Sequence, residues 1–259
     1  MSFLRRCVIF LNDWDRLGLG FARAAFRPWR HKAPFFISLA NHEPIWVRGD
    51  DSDIDTVRIV FANKDYHVPS ASARERLATR MQEIADSGRV PLIIDAGANI
   101  GAAALWFKHQ YPLALVVAVE PEQGNIAMLK RNCGKDGFDI VPAAIGSKSG
   151  FVALENAGSS DAVRTVRDEH GVPIMTMRDL LDKHPNATPF IVKVDIEGFE
   201  GDLFSSDTEW IDSFDAIMVE LHDWMLPGQG SSAGVQREMG KRTGYEVFLK
   251  GENLIYVRG

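Results

Sequence analysis

From residue 90 onward the chain alternates between two hydrophobic patterns. Continuous apolar runs of strand length ("VPLIID", "ALVVAVEP", "DIVPAAIG", "FIVKVDIEG", "FDAIMVELH") are separated by stretches with helical spacing ("ANIGAAALWFKHQY", "QGNIAMLKRNC", and segments near 200–206 and 231–242). A strand buried on both faces loses its polar alternation, so apolar runs interleaved with helices predict a parallel sheet covered on both sides. The last segment breaks this rhythm. In "YEVFLKGENLIYVRG" two strand-like runs are joined only by "KGEN". That link is too short for anything but an antiparallel hairpin. The expected fold class is α/β, a parallel sheet closed by a C-terminal antiparallel hairpin.

Upstream, residues 71–87 place Leu77, Met81 and Ile84 on one helical face, with Gly88 as the stop. "PIWVRGDDSDIDTVRIVF" reads as a short strand, an acidic turn and then a helix or strand. Residues 1–44 are basic and aromatic, broken by Pro28, Pro34 and Pro44, and predict short helices. The division expected is an N-terminal arm or helical cap over 1–44, a lead-in or lid segment over 45–88 and a sheet core over 89–259.

The loop "IIDAGANIG" ends the first apolar run with Asp95 and continues through Ala96, Gly97, Asn99, Ile100 and Gly101. Such a bend from strand to helix, close to a ligand, demands minimal side chains. Asp95 is placed to orient loop amides or to bind an ammonium group through water. The helix start near Asn99 and Gly101 offers amide N–H groups and a positive dipole end to a carboxylate. Glu120, followed by Pro121, ends the neighbouring run 25 positions after Asp95. There it can accept both ribose hydroxyls of an adenosine. A nicotinamide enzyme uses the same pair. However, the spacing is Gly-x-Asn-x-Gly, and the acid directly before the loop repels a pyrophosphate and attracts an ammonium. S-adenosylmethionine (SAM) is therefore the expected cofactor. A nicotinamide-dependent oxidoreductase and a non-catalytic SAM-binding module are the alternatives. After the third run, Ala143, Ala144 and Ile145 read either as an apolar slot for adenine or as plain core.

Two further strand ends carry chemistry. "VKVDIEGFE" brings Lys193, Asp195 and Glu197, and "VELHDW" brings Glu220, His222 and Asp223. Ligands of open α/β sheets bind outside the carboxyl ends of strands, so these groups are expected at one crevice. His222 is the first candidate for the base that takes a hydroxyl proton. Asp195 is either that base or the group that orients His222. Lys193 shares the side of Asp195 and is expected to pair with Asp195 or Glu220. Asp195, Glu197, Glu220 and His222 also form an oxygen-rich set suited to a hard divalent cation such as Mg2+, although no spacing demands one.

These motifs together resemble the FkbM methyltransferase family over about residues 45–258: "VKVDIEGFE", "MVELHDW" and "AAIGSKSG", following "IIDAGANIG" and "VEPE". Arg48, Ser52-Asp53 and Asp65-Tyr66 resemble that family's opening segment, which more often has Glu before the Tyr. The resemblance implies a class I methyltransferase, Rossmann-like sheet and SAM-dependent O-methylation of a hydroxyl on a sugar, glycan or polyketide-like product. It leaves the acceptor open. It also suggests a lid over SAM with Tyr66 near the methionine part, against a core role for the same ring.

Bulk properties change this picture little. The net charge of −6 gives no reason to expect nucleic acid. Cys7 and Cys133 make no disulfide framework, and the early apolar run "CVIFL" is too short to span a bilayer. A cytoplasmic protein is expected. The arm stands out: residues 1–36 carry seven Lys/Arg against two Asp, interleaved with Phe3, Phe10, Trp14, Phe21, Phe26 and Trp29. It reads either as a cap that packs its aromatics on the domain, or as a surface for an anionic membrane or a glycosyltransferase partner.

Overall fold

The computed structural model describes residues 3–26, 33–49, 52–156, 163–224, 228 and 230–259. Arg27, Trp29, Arg30 and Lys32 of the arm lie outside the described residues.

Seven strands form the central sheet: β1 (Val90–Ala96), β2 (Leu115–Val119), β3 (Phe138–Val141), β4 (Ala187–Val194), β5 (Ala216–Glu220), β6 (Tyr245–Lys250) and β7 (Asn253–Arg258). Their spatial order is β6-β7-β5-β4-β1-β2-β3. β1 to β5 run parallel, and β7 lies antiparallel between β5 and β6. The α/β class, the parallel sheet and the closing hairpin are thus as the pattern predicts. After β3 the chain crosses back to place β4 on the other side of β1. This switch point opens a crevice above the tips of β1 and β4.

Register decides which side chains share that crevice. Asp95 lies opposite Lys193, Lys193 opposite Met218, and Met218 opposite Ile255. Side chains alternate with period two, so Asp95, Lys193, Asp195 and Glu220 leave the same face. On that face Ile93, Ile191, Met218 and Ile255 pack with Tyr66, with Trp106 and Phe107 of helix Ala102–Gln110, and with Leu17 and Phe21 of the arm. The opposite face buries Leu92, Ile94, Val192 and Val219 against Leu203, Phe204, Trp210 and Phe214.

Helix Ala71–Asp86 forms where its spacing requires, capped by Ser70 accepting from the Ala73 amide, with Leu77 and Ile84 buried. In the lead-in segment Ile45–Val47 pairs antiparallel with Phe35–Ile37, and helix Asp53–Val57 passes into a π-helical turn at Arg58–Asn63. The arm forms helices Phe3–Leu17 and Leu19–Phe26. Leu17, Phe21 and Ala22 are fully buried, and Asp13 pairs with Arg58 at 2.9 Å. One face of the arm packs into the core, while Val8, Leu11 and Trp14 are at least half exposed on the outer one. Among the described residues no helix is long and apolar enough to cross a membrane.

One element differs from expectation. "DIVPAAIG" is not a single strand. Phe138–Val141 stays in the main sheet as its edge strand, the strand ends before Pro142, and Ala144–Ile145 leaves the sheet. The latter joins a second sheet with Gly150–Asn156, Val163–Asp168 and Val172–Met175, which the hydrophobic pattern does not announce.

Candidate cofactor and reaction site

The loop after β1 is fixed by sterics. Gly97 has φ +79°, and a Cβ there would sit 1.7 Å from the Asp195 carbonyl oxygen. No side chain fits between the tips of β1 and β4. Asn99 and Gly101 also adopt left-handed backbone, with φ 49° and 89°. Together they turn the chain into helix Ala102–Gln110. The loop amides are not free, contrary to the simplest reading of the sequence. Those of Gly97 and Ala98 donate to the Val119 carbonyl, that of Gly101 to the Ala98 carbonyl, and that of Asn99 to Glu120. Ile100 is fully buried and its carbonyl accepts from Asn132.

Glu120, the residue after β2, is almost fully buried. Its Oε2 accepts from the Asn99 amide at 2.8 Å, and its Oε1 from the Glu122 amide at 3.0 Å and Asn125 Nδ2 at 3.2 Å. Burial pushes its carboxyl upward, against these three donors. Loop amides and Asn125 thus fix both oxygens of this buried carboxylate at the tip of the second strand. Asn125 links it to the lead-in segment. Arg48 donates to Asn125 Oδ1 at 2.8 Å while forking onto Asp53 at 2.7 and 3.0 Å. The motif residues Arg48 and Asp53 thus act through tertiary contact, a role that spacing alone does not reveal. Pro121 follows at the half-buried mouth.

Lys193 is the cation at the centre. Its Nζ donates to the Gly97 carbonyl at 2.6 Å and stands 3.1 Å from Asp95 and 3.2 Å from Asp195. Of the two expected partners it takes Asp195; the second is Asp95, in place of Glu220. Burial opposes its charge, but Asp195 and Asp95 outweigh it and hold the ammonium well above its ordinary pKa. Lys193 is therefore a charged tie between the two strand tips and the loop. Tyr66 covers it, with Nζ 5.7 Å from the ring centroid, and packs on Phe107. The ring is buried in the core and is also the 45–88 segment's contact with Lys193.

His222, just beyond β5, is 2% exposed. Its Nδ1 bonds Glu200 Oε1 at 2.9 Å. Its Nε2 faces Asp195 at 3.6 Å, Glu197 at 3.7 Å and Glu220 at 3.8 Å. Glu200, not Asp195, therefore orients the imidazole. Sequence reasoning missed Glu200 because its position depends on a turn: Glu197 (φ 54°) and Gly198 (φ 91°) fold the chain back, and the Ile196 and Gly198 amides donate to Glu200. The one available signal is a third acid in "VKVDIEGFE". Burial alone would lower His222, but the bond and charge of Glu200, with Asp195 and Glu197, raise it to about 9. Burial and the Asp195 charge raise both Glu197 and Glu220 to about 8. Asp223 lies apart, accepting from the Ser232 amide.

Ala143 and Ala144 are buried, Ala143 with Ile145 under the sheet and Ala144 against Val152, Ile174 and Phe199. A cavity of about 570 Å³ lined by Ser147, Thr176, Leu203 and Trp210 lies off the crevice, and none of the strand-tip acids lines it.

A seven-stranded sheet with an antiparallel seventh strand, a glycine bend after the first and an acid at the tip of the second define a class I methyltransferase. SAM is the cofactor of methyltransferases with this fold. The profile of the methyltransferase FkbM domain matches residues 95–247, and the chain belongs to the FkbM methyltransferase family. Methyltransferase 1 of Beauveria bassiana is 28% identical over 183 residues, 56% of this chain and 74% of the relative. The hexuronic acid methyltransferase AglP of Haloferax volcanii is 28% identical over 138 residues, 51% of this chain and 56% of its own length. Among solved structures, an O-methyltransferase from Bacillus cereus in complex with SAH superposes with TM-score 0.39 at 12% identity, covering 81% of this chain and 92% of its own. The fold assignment rests on the strand order rather than on that superposition. Family membership removes the nicotinamide alternative.

Proposed function

We propose that the chain transfers the methyl group of SAM to a hydroxyl oxygen of a sugar, glycan or polyketide-like acceptor. The observation that carries this reading is the convergence of the tips of β1, β2, β4 and β5. They bring a preset ribose carboxylate, a charge-tied loop and a base-bearing cluster to one crevice. The name of the Haloferax relative, a hexuronic acid methyltransferase, supports a sugar acceptor.

The residues fit the cofactor. Gly97 is the position where no side chain can intrude, and Glu120 is a buried acceptor already aimed by its donors. Bound SAM supplies an electrophilic methyl on a sulfonium. Glu120, with Pro121 beside it, holds the ribose. Asp95, fixed by Lys193, faces the ammonium; the Ala96–Gly101 bend receives the amino-acid part under Tyr66; Ala143 and Ala144 flank the adenine. A neutral hydroxyl is a weak nucleophile, so its proton must leave as the new C–O bond forms. Asp195 Oδ1, and His222 Nε2 once the imidazole has lost its own proton near its raised pKa of about 9, are the groups placed to take it, with Glu200 setting the imidazole plane and Lys193 setting the carboxylate.

The test is methyl transfer from labelled SAM to a panel of sugars, uronic acids and glycans, read by mass. Asp195→Asn and His222→Gln should keep SAM affinity while lowering turnover by on the order of 10²–10⁴. Full turnover in both variants would remove the proposed base. SAM bound with no product from any hydroxyl, together with methyl transfer to an amine or thiol, would remove the hydroxyl.

A further inference from the structure

The cluster around His222 has a geometry that hydrogen bonding does not explain. Three carboxylate oxygens, from Asp195, Glu197 and Glu220, surround Nε2 at 3.6–3.8 Å, each beyond hydrogen-bond distance. A charged imidazole pairing with one of them would draw it to about 2.7–2.9 Å. Near-equal spacing is instead the arrangement of ligands around a common centre. Atoms bound to one cation at about 2.1–2.2 Å stand roughly 3.0–3.6 Å apart. One atom each from Asp195, Glu220 and His222 already lie within 4.8 Å of one another. Small side-chain rotations bring them into range.

Two further features point the same way. Glu200 occupies His222 Nδ1, which leaves Nε2 facing the cluster; a carboxylate behind a histidine is the usual support of a metal-ligating imidazole. Lys193 likewise holds Asp195 by Oδ2, while Oδ1 is the atom that faces His222. Independently, Asn253 lies directly opposite Glu220 in the β5–β7 register, so it leaves the same face. It is 1% exposed and its Oδ1 has no hydrogen-bond partner. This is a buried acceptor on the wall of the cluster that calls for a ligand or a ligand's water.

We infer that Asp195, Glu220 and His222 form a site for one divalent cation at the acceptor end of the crevice, with Glu197 and Asn253 at its edge. An imidazole among the carboxylates favours a first-row transition-metal ion over Mg2+, and Mn2+, which also accepts carboxylate oxygens, is the paramagnetic probe of that class. Resting on the proposed function, a cation there would occupy His222 Nε2 and Asp195 Oδ1, so it would itself hold the acceptor oxygen beside the methyl group and ease the loss of its proton, in place of those two atoms as bases. The site itself does not depend on that reading.

The experiment is titration of the chelator-treated full chain with MnCl2, without SAM or acceptor, followed by calorimetry and by the electron paramagnetic resonance of free and bound Mn2+. One Mn2+ per chain is expected, with a pulsed-resonance signature of a single imidazole nitrogen. Mg2+ should bind more weakly. Asp195→Asn and Glu220→Gln should weaken binding tenfold or more. Glu200→Gln, which touches no cation, should weaken it by about 10–100-fold. Absence of Mn2+ binding at millimolar concentration, or a bound ion without the nitrogen signature, overturns the site. The nitrogen signature is read on the unaltered chain, so it stands even if a variant fails to fold. SAM affinity measured on the same samples separates the two readings: SAM bound without Mn2+ sinks only the cation site, and Mn2+ bound without methyl transfer sinks only the function.

Discussion

Replacing Lys193 by Met keeps the stem and removes the ammonium that ties the strand tips together. The residue is 2% exposed, donates to the Gly97 carbonyl at 2.6 Å and pairs with Asp95 and Asp195 at 3.1 and 3.2 Å. Asp95, fully buried, would be left without its countercharge. Breaking a buried pair from one side costs about 3–5 kcal/mol, because the surviving charge stays desolvated. For a chain of this size each kcal/mol lowers Tm by about 2–4 °C, which gives a fall of roughly 6–20 °C. Burial already raises the Asp95 carboxyl above its usual range even with Lys193 present. Without the lysine it rises further, so protonation can relieve the strain. An acid whose folded pKa is raised costs stability once pH exceeds its unfolded value, so the loss in Lys193→Met should grow from pH 5 to pH 8. Thermal unfolding followed by circular dichroism across that range checks both parts. A Tm within about 2 °C of the unaltered chain at pH 8 would refute the account of Lys193 as the tie.

Other outcomes follow from the same geometry. Gly97→Ala adds a Cβ 1.7 Å from the Asp195 carbonyl at a positive φ, so it should lower Tm and abolish measurable SAM binding; an unchanged pair of values would mean the loop is looser than described. Asn125→Ala removes the link from Arg48 to Glu120 and should weaken SAM about tenfold, the worth of one hydrogen bond to a charged group, as read by calorimetry. Glu238 is bonded by Lys241, Thr208 and Arg237, and the Lys241 bond leads in lowering its carboxyl to about 2. A depressed acid stabilises the fold above its unfolded pKa of 4.5 and loses that contribution as pH falls towards 2. Acid unfolding of Glu238→Gln should therefore show a shallower dependence over that window than the parent chain.

Much of this was legible because it is one-dimensional. β1, β2, β4 and β5 are apolar runs long enough to be unambiguous, and the acids within one residue of their ends are by that fact the crevice residues Asp95, Glu120, Asp195 and Glu220. The hairpin followed from a link too short to cross the sheet. What escaped is three-dimensional. Ala144–Ile145 is a two-residue strand whose partner, Val172–Met175, lies far along the chain. Glu200 gains its role from two consecutive left-handed residues, and Asn125 from an arginine 77 positions away. The loop amides expected to be open are closed onto Val119 and Glu120, because buried N–H groups must find acceptors.

The central claim is that the bend after β1 and the carboxylate at the tip of β2 hold the adenosyl amino acid. Calorimetric titration of the full chain with SAM, beside Glu120→Ala and with circular dichroism confirming that the variant folds, tests it most directly. Micromolar binding that the variant loses is the predicted result. Heatless titration of a folded parent chain, or equal affinity in both proteins, would contradict it.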